Sequence, residues 1–363
     1  MKKLVFISDV IPDPAGTGSE QRAFSFLVAY SKVCAVELWC HPRKDNPLMR
    51  RIHKLAEYTS EIFVFYPEMI SMRHGMIQRL TSSLSSAHAV HIFKLPLIIR
   101  HPRIIWDIDE LPKEFKLITK PELIQKKPKQ DSIVDAWVRF SKLCKLVIAS
   151  SPLETHNLLP TIRTVPNVYF AVPPRAERNI TELSLFVGHL GYPPNLEAVH
   201  YYIKKILPLL PKSHRFRIVG KKPQLESQLA YLKNLKKNPQ IEIHFDVASC
   251  SPYYSDASVA VVPLHNGSGT RLKILEAFAH MTPVVSTRKG CEGLDVVHGK
   301  EIIIADTEEE FATACVMLHR NLEYSKQITE NGYNFLHENN SQAIAESSLY
   351  ENLKATVPSL LDL

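Results

Sequence analysis

Apolar positions along this chain fall into short continuous runs, separated by stretches where they recur every three or four residues. The first pattern predicts strands buried on both faces, and the second predicts amphipathic helices. In the N-terminal half, strands are expected at 4–8, 35–40, 62–66, 89–93, 104–108, 146–150 and 163–165, with helices at 20–31, 70–84 and 132–142. Residues 171–183 (AVPPRAERNITEL) are polar, Pro-containing and aperiodic, as a linker is. The pattern then restarts with a strand at 183–187 that ends in Gly188. Strands at 216–219, 241–245, 258–263, 283–286 and 302–305 follow. Helices at 195–207, 224–235, near 252–255, at 270–280 and from Thr307 onward lie between and after them. The last helix spans roughly 341–355. Strand and helix in alternation give an α/β class with parallel sheets. The expected division is a domain over 1–170, a linker over 171–182, a domain over 183–340 and a terminal segment over 341–363.

Length agrees with two domains, because 363 residues exceed what one hydrophobic core usually organises. An apolar share of 45% and a charged share of 22% exclude disorder and collagen-like structure. The longest apolar runs, Leu95 to Ile99 and Val259 to Leu264, fall far short of the ~20 residues that span a bilayer. After Met1-Lys2-Lys3 no secretory core follows, so the expected location is the cytoplasm. The six cysteines form no CxxC pair and read as small buried hydrophobes. Charge changes the picture once it is divided. Residues 1–175 hold 25 Lys and Arg against 16 Asp and Glu, and residues 176–363 hold 19 against 21. A basic half points to an anionic partner, although a solvated basic surface accounts for the same numbers. Of 12 glycines, nine (16, 18, 188, 191, 220, 267, 269, 290 and 293) come just after predicted strands. Open α/β sheets bind ligands there, and ordinary turns also use glycine there.

The richest segment is residues 261–279, VVPLHNGSGTRLKILEAFA. A buried strand feeds the turn Gly267-Ser268-Gly269-Thr270, which opens a helix. Unpaired N–H groups and the positive dipole end make such a start an anion site. Arg271 and Lys273 near it oppose the dipole, a cost that an anionic ligand would offset. Glu276 could accept ribose hydroxyls from the same helix, while Leu272, Leu275 and Phe278 point to the core. A Gly-rich turn with surface charges is the plain alternative.

In this segment, in Thr282-Pro283-Val284-Val285-Ser286-Thr287 and in Gly290-Cys291-Glu292-Gly293-Leu294, the chain resembles the retaining nucleotide-sugar glycosyltransferases of family 4, group 1. Residues 186–195 (FVGHLGYPPN), Val165-Pro166-Asn167-Val168 and the loop from Asp9 to Arg22 are similar to further parts of that family. The resemblance implies the GT-B fold, two Rossmann-like domains facing a central cleft, with the final helix packing back on the first domain. It also implies metal-independent sugar transfer with retention. In this reading Glu276 holds the ribose, and Gly16, Gly18, Gly188, His189, His265, Gly267, Ser268, Gly269, Thr270, Arg271 and Lys273 line the donor site. The sequence also departs from the family. Ser268 stands where the first of two donor-site glutamates is common. His189, and Pro194 or Asn195, stand where the family tends to place an Arg and a Lys on the pyrophosphate. Arg271 and Lys273 are expected to take over that neutralisation.

Other candidates lie in the first domain. Asp107-Ile108-Asp109 has the spacing of a metal-binding DxD, but after a strand of the first domain no metal or other cofactor is expected. Asp107 is instead a candidate to deprotonate the acceptor hydroxyl, with Asp109, Glu110 and Arg22 binding the acceptor; a helix cap or solvated turn is the alternative. His91 is a candidate to touch the donor sugar, against the commoner role of a satisfied strand histidine. Basic residues between Lys94 and Lys129, interleaved with Leu, Ile and Phe, fit an anionic membrane surface or a lipid-pyrophosphate acceptor. No nucleic-acid module is recognised. The expected partners are a nucleotide-sugar donor, a saccharide, glycolipid or other hydroxyl acceptor, and the inner membrane face. A nucleotide-sugar 2-epimerase and an inactive sugar-nucleotide-binding scaffold are the competing readings.

Overall fold

Runs of buried Val, Ile, Leu and Phe build two separate parallel sheets in the computed structural model of the protein. The structure describes residues 2–40, 54–64, 74–94, 101–108, 138, 140–150, 162–170, 181–267 and 271–361. In the first sheet β1 (Lys3–Ser8), β2 (Ala35–Cys40), β3 (Glu61–Val64), β4 (Ala89–Phe93), β5 (Ile104–Ile108), β6 (Leu146–Ala149) and β7 (Ile162–Thr164) lie in the order β3-β2-β1-β4-β5-β6-β7. In the second, β8 (Thr181–Val187), β9 (Arg215–Gly220), β10 (Ile241–Phe245), β11 (Ala257–Val262), β12 (Val284–Ser286) and β13 (Ile303–Ile304) lie in the order β10-β9-β8-β11-β12-β13. Each sheet grows one way from its first strand, then returns and grows the other way. The strand order therefore reverses between β1 and β4, and between β8 and β11. At such a point the two crossovers part and leave a crevice outside the carboxyl ends of the strands.

The chain divides into two units, Met1–Val168 with Gln342–Leu363, and Tyr169–Ser341. The first contains helices α1 (Gly18–Ser31) and α2 (His74–Ser86), and the second contains α3 (Pro193–Tyr201), α4 (Glu226–Leu235), α5 (Ser251–Asp256), α6 (Leu272–Ala279), α7 (Glu308–Arg320) and α8 (Leu322–Asn339). The helix expected over 195–207 is broken. After α3 comes a π turn at Tyr202–Ile206 and a 3₁₀ turn at Leu207–Leu209. Pro208 lacks an N–H and its ring clashes with the carbonyl four residues back, so an α-helix cannot continue through it. The terminal helix α9 (Gln342–Thr356) belongs to the first unit. Its Gln342 Nε2 and Tyr350 hydroxyl donate to the carbonyls of Ser25 (3.0 Å) and Ala29 (2.5 Å) on α1, and its Glu346 pairs with Lys32 at 2.7 Å. Among the described residues no helix is long and apolar enough to cross a membrane.

The first unit corrects several expectations. Arg22 and Asp107, assigned above to the acceptor and to proton transfer, are buried against each other. Arg22 Nε and Nη2 donate to Asp107 Oδ2 and Oδ1 at 2.8 and 2.9 Å, with the residues 1% and 0% exposed. Arg22 Nη1 also donates to the Val165 carbonyl and to Asn167 Oδ1, both at 2.8 Å. A carboxylate fixed by a two-pronged guanidinium is a poor base, and this guanidinium is fully engaged within the core. The pair ties α1, β5 and the turn after β7 together. His91 sits in the core as well, on β4. Its Nδ1 lies 2.9 Å from the Tyr30 hydroxyl, and its ring packs on Phe6 and Phe26. Burial, with Arg22 nearby, pushes its pKa down to about 3, so it is a neutral core histidine. Gly16 and Gly18 precede and begin α1, but an anion already occupies that site. Glu20 Oε2 accepts from the Thr17 N–H at 2.6 Å, and a Cβ on Gly16 would lie 2.5 Å from the same oxygen. This is a self-capped helix start. Asp109 and Glu110, and most of the expected helix 132–142, lie outside the described residues.

Replacing Asp107 with Asn would keep the shape and remove the charge that neutralises Arg22. Breaking a buried pair in this way costs about 3–5 kcal/mol. The expected outcome is a large fall in the urea midpoint of Asp107→Asn. Wild-type stability with lost turnover would instead return Asp107 to the reaction.

Candidate functional site

The second unit brings chemistry to the point where its strand order reverses. From the end of β8 come Gly188 and His189, from beyond β11 come His265 and Gly267, and α6 starts beside them. The helix is oriented by its apolar residues. Ile274, Leu275, Ala277, Phe278 and Ala279 are buried in the core. Lys273 and Glu276, three residues apart, therefore share the remaining face.

Lys273 is the main feature of the site. Its Nζ donates to Asn195 Oδ1 at 2.6 Å and sits 4.4 Å from the centre of the Phe186 ring. No described carboxylate lies within ion-pair distance of it. Burial first, and the neighbouring Arg271 second, push its pKa down to about 7, with Glu276 acting in the opposite sense. Asn195, in the first turn of α3, is held in turn by the backbone, because its Nδ2 donates to the His189 carbonyl at 2.9 Å. Position 188 has to be glycine for this arrangement. A Cβ there would lie 2.9 Å from Asn195 Nδ2 and 3.3 Å from Lys273 Nζ.

Arg271 has a different task from the one expected. Only 5% exposed at the N-cap of α6, it donates through Nη2 to the carbonyls of Gly267 (3.0 Å) and Lys289 (3.3 Å), and lies 3.9 Å from Glu292. It knits together the turn in which Gly267 takes a φ of +105°. Its charge remains next to Lys273, but its guanidinium is a brace of the loop. Glu276 faces the phenols of Tyr169 and Tyr254, the Cys250 thiol and Lys273. Burial pushes its carboxyl pKa up to about 7, against the pull of those partners. The Tyr169 phenol is raised by burial and by the same carboxylate, and the Cys250 thiol is pushed up to about 12 for the same reasons. His189 and His265 are exposed at the two strand ends. His189 Nδ1 accepts from the Gly191 N–H at 3.1 Å, and His265 packs edge-on against Tyr201. Ser268, Gly269 and Thr270 lie outside the described residues.

Sequence reasoning brought together Gly188, His189, His265, Gly267, Arg271, Lys273 and Glu276. It did not find Phe186, Tyr169, Tyr254 or Cys250, which carry no spacing signal. Asn195 appeared only with Pro194, as one of two positions where the family's lysine is absent; the structure puts the Lys273 ammonium on it.

The two perturbed groups set the pH response of the ligand-free fold. Glu276 binds its proton more tightly folded than unfolded, so its contribution is full below about pH 4.5 and is lost as pH rises to about 7. Lys273 gives up its proton more easily when folded, so its contribution grows as pH rises from about 7 towards 10.5. The expected melting curve passes through a shallow minimum near neutrality. Glu276→Gln flattens the acid side and Lys273→Met the alkaline side, as read by melting temperature across buffers.

A cation with no described carboxylate at ion-pair distance, at the carboxyl ends of parallel strands and beside a helix start, has the chemistry that anion sites use. Comparisons with known proteins bear on the same unit. The family model described as Glycosyl transferases group 1 matches residues 181–321. An uncharacterized 44.6 kDa protein in the cps region of Klebsiella pneumoniae is 28% identical over 173 residues, which is 46% of this chain and 45% of that protein. The match thus spans less than half of that relative. Among solved structures, HepE of Anabaena in complex with UDP-glucose superposes with a TM-score of 0.70 at 14% identity, covering 98% of this chain and 100% of that one. A glycosyltransferase of Rickettsia africae gives 0.68 at 13% identity, covering 98% and 99%. TarM of S. aureus gives 0.69 at 9% identity, covering 97% and 99%. At such identities the likeness establishes the fold. Residues 181–321 thus match the Glycosyl transferases group 1 model, and the chain has the two-sheet GT-B fold of these solved structures.

Proposed function

We propose that the protein is a glycosyltransferase that moves a sugar from a nucleoside-diphosphate sugar to an acceptor hydroxyl, in the assembly of a polysaccharide, glycan or glycolipid. The observation that carries this reading is Lys273, a cation enclosed at the strand-order reversal with an amide for its partner. A diphosphate supplies the missing negative charge. The solved relative in complex with UDP-glucose and the relative from a cps region support the nucleotide-sugar donor and the polysaccharide setting.

The chemistry follows from where charge develops. Transfer breaks the bond between the anomeric carbon and the diphosphate oxygen, and negative charge grows on that oxygen. Lys273, the nearby charge of Arg271 and the N–H groups at the start of α6 stabilise it without moving, which is the usual form of electrostatic catalysis. Glu276 accepts the ribose hydroxyls. With its pKa near 7, the carboxyl is partly protonated at neutral pH, and it accepts best when ionised beside a protonated Lys273. Gly188 keeps the backbone close to the diphosphate. The acceptor falls to the N-terminal unit, and with Asp107 and His91 in its core the acceptor's proton goes to the donor's own phosphate, in keeping with retention. An anionic surface is a further proposed partner. Residues 203–237 hold ten Lys and Arg against a single Glu, and Lys204, Lys205, Lys212, Lys233, Lys236 and Lys237 are exposed.

The test is a melting screen against UDP, GDP, ADP and CMP. A ligand at a hundredfold excess over its Kd stabilises the folded state by about 2.7 kcal/mol, several degrees in melting temperature. The expected outcome is a clear rise with at least one nucleoside diphosphate, lost in Lys273→Ala. No rise with any of them would overturn the reading.

A further inference from the structure

We propose that Asn195 is a positioning residue that holds the Lys273 ammonium in the donor site while leaving its charge unneutralised for the diphosphate. The inference rests on the reading of the site as a diphosphate site.

The geometry is determined at both ends of the amide. Asn195 Nδ2 faces the His189 carbonyl at 2.9 Å, an acceptor, so the nitrogen must be on that side. Oδ1 is then left for Lys273 Nζ at 2.6 Å, a donor. Asn195 is placed by the start of α3, where Pro193 and Pro194 fix the first helical turn and the Asn195 N–H donates to the Tyr192 carbonyl at 3.0 Å. Phe186 underlies the ammonium. The charged groups facing Lys273 are Arg271, which repels it, and Glu276, whose carboxyl is shared with Tyr169, Tyr254 and Cys250. The ammonium is therefore held by a dipole and a ring face, both of which direct it and neither of which cancels it.

A carboxylate at position 195 would pair the half-buried cation, but its second oxygen would replace the donor that Asn195 offers the His189 carbonyl. It would also occupy the cation with a resident anion. Asparagine meets the geometric need and leaves the electrostatic one open. Serving as an amide, Asn195 aims a cation that comes from another helix.

The test compares wild type, Asn195→Asp and Asn195→Ala, first without ligand and then titrated with UDP, GDP and ADP between pH 6.5 and 9. Without ligand, Asn195→Asp should lose the rise in stability on the alkaline side, because Lys273 then stays protonated, whatever its melting temperature at neutral pH after losing the bond to the His189 carbonyl. With ligand, wild-type affinity should fall as pH rises above about 7, as binding demands proton uptake by Lys273. Asn195→Asp should bind at least tenfold more weakly with that pH dependence gone. Asn195→Ala should bind more weakly but keep the dependence. An Asn195→Asp variant with wild-type affinity and an unchanged alkaline limb would overturn the proposal. If wild type bound no nucleoside diphosphate, the functional reading would fail, and the ligand-free alkaline limb would still decide whether Asn195 governs Lys273. A purely structural asparagine would show as a stability loss in Asn195→Asp with no change in that limb. Should Asn195→Asp not fold, a loss of pH dependence in Asn195→Ala would count against the proposal.

Discussion

A lysine taken partly out of water and held by an amide and a ring face, with no described carboxylate at ion-pair distance, is the interaction on which the rest of the second unit turns. Desolvating an ammonium is unfavourable, and folds normally answer it with a paired anion or let the lysine reach solvent. Here Lys273 is kept on Asn195 and over Phe186 instead. The neighbouring structure then follows. Position 188 has no room for a side chain, α3 must begin close to the end of β8, and α6 must be rotated so that its apolar face seats firmly in the core. The uncompensated charge is a local cost that an anionic ligand would repay.

The first unit shows the contrast. It has the same parallel topology about its own first strand, and it also holds a buried cation, Arg22. Yet Arg22 meets Asp107 through two hydrogen bonds and has Val165 and Asn167 on its remaining side. All three guanidinium nitrogens donate to protein acceptors and the charge is cancelled. At the start of α1 the anion is likewise supplied by the chain, from Glu20. One unit pairs its buried cation with a carboxylate, and the other holds its cation on an amide. A shared fold therefore does not give the two units the same chemistry; the difference is in what each cation is bonded to.

This contrast also explains how much was legible in the sequence. Strands such as 4–8, 146–150 and 258–263 are nearly continuous apolar runs bounded by polar or turn residues, and burial on both faces of a parallel sheet demands that pattern. The site around Lys273 was legible because glycine, cations and a carboxylate cluster in one strand–turn–helix segment, where local spacing already fixes which residues share a face. Arg22, His91 and Asp107 were misread for the opposite reason. Each looks like an active-site residue by type and by its position at or near the end of an element. Their partners are 85, 143 and 145 residues away for Arg22 and 61 away for His91. Sequence order carries no trace of such pairings. The expected helix stops just before Pro208, and periodicity alone does not distinguish the α, π and 3₁₀ turns into which 193–209 divides.

Arg271 and Lys273 illustrate a finer limit. Side by side in sequence they read as two equivalent cations, and the expectation gave them one shared role. Two residues of helix separate their directions by roughly 200°, since each residue turns the helix by about 100°. Arg271, before the first turn, points back into the loop and meets carbonyl oxygens, while Lys273 points towards the end of β8. The planar guanidinium suits bracing because it can donate in several directions at once, and the ammonium suits a mobile anion because it is a compact point charge that can change its protonation. The division of labour thus follows from the shapes of the two groups. An Arg at 273 would overfill the space between Asn195 and Phe186, and a Lys at 271 could not reach two carbonyls from a fixed plane.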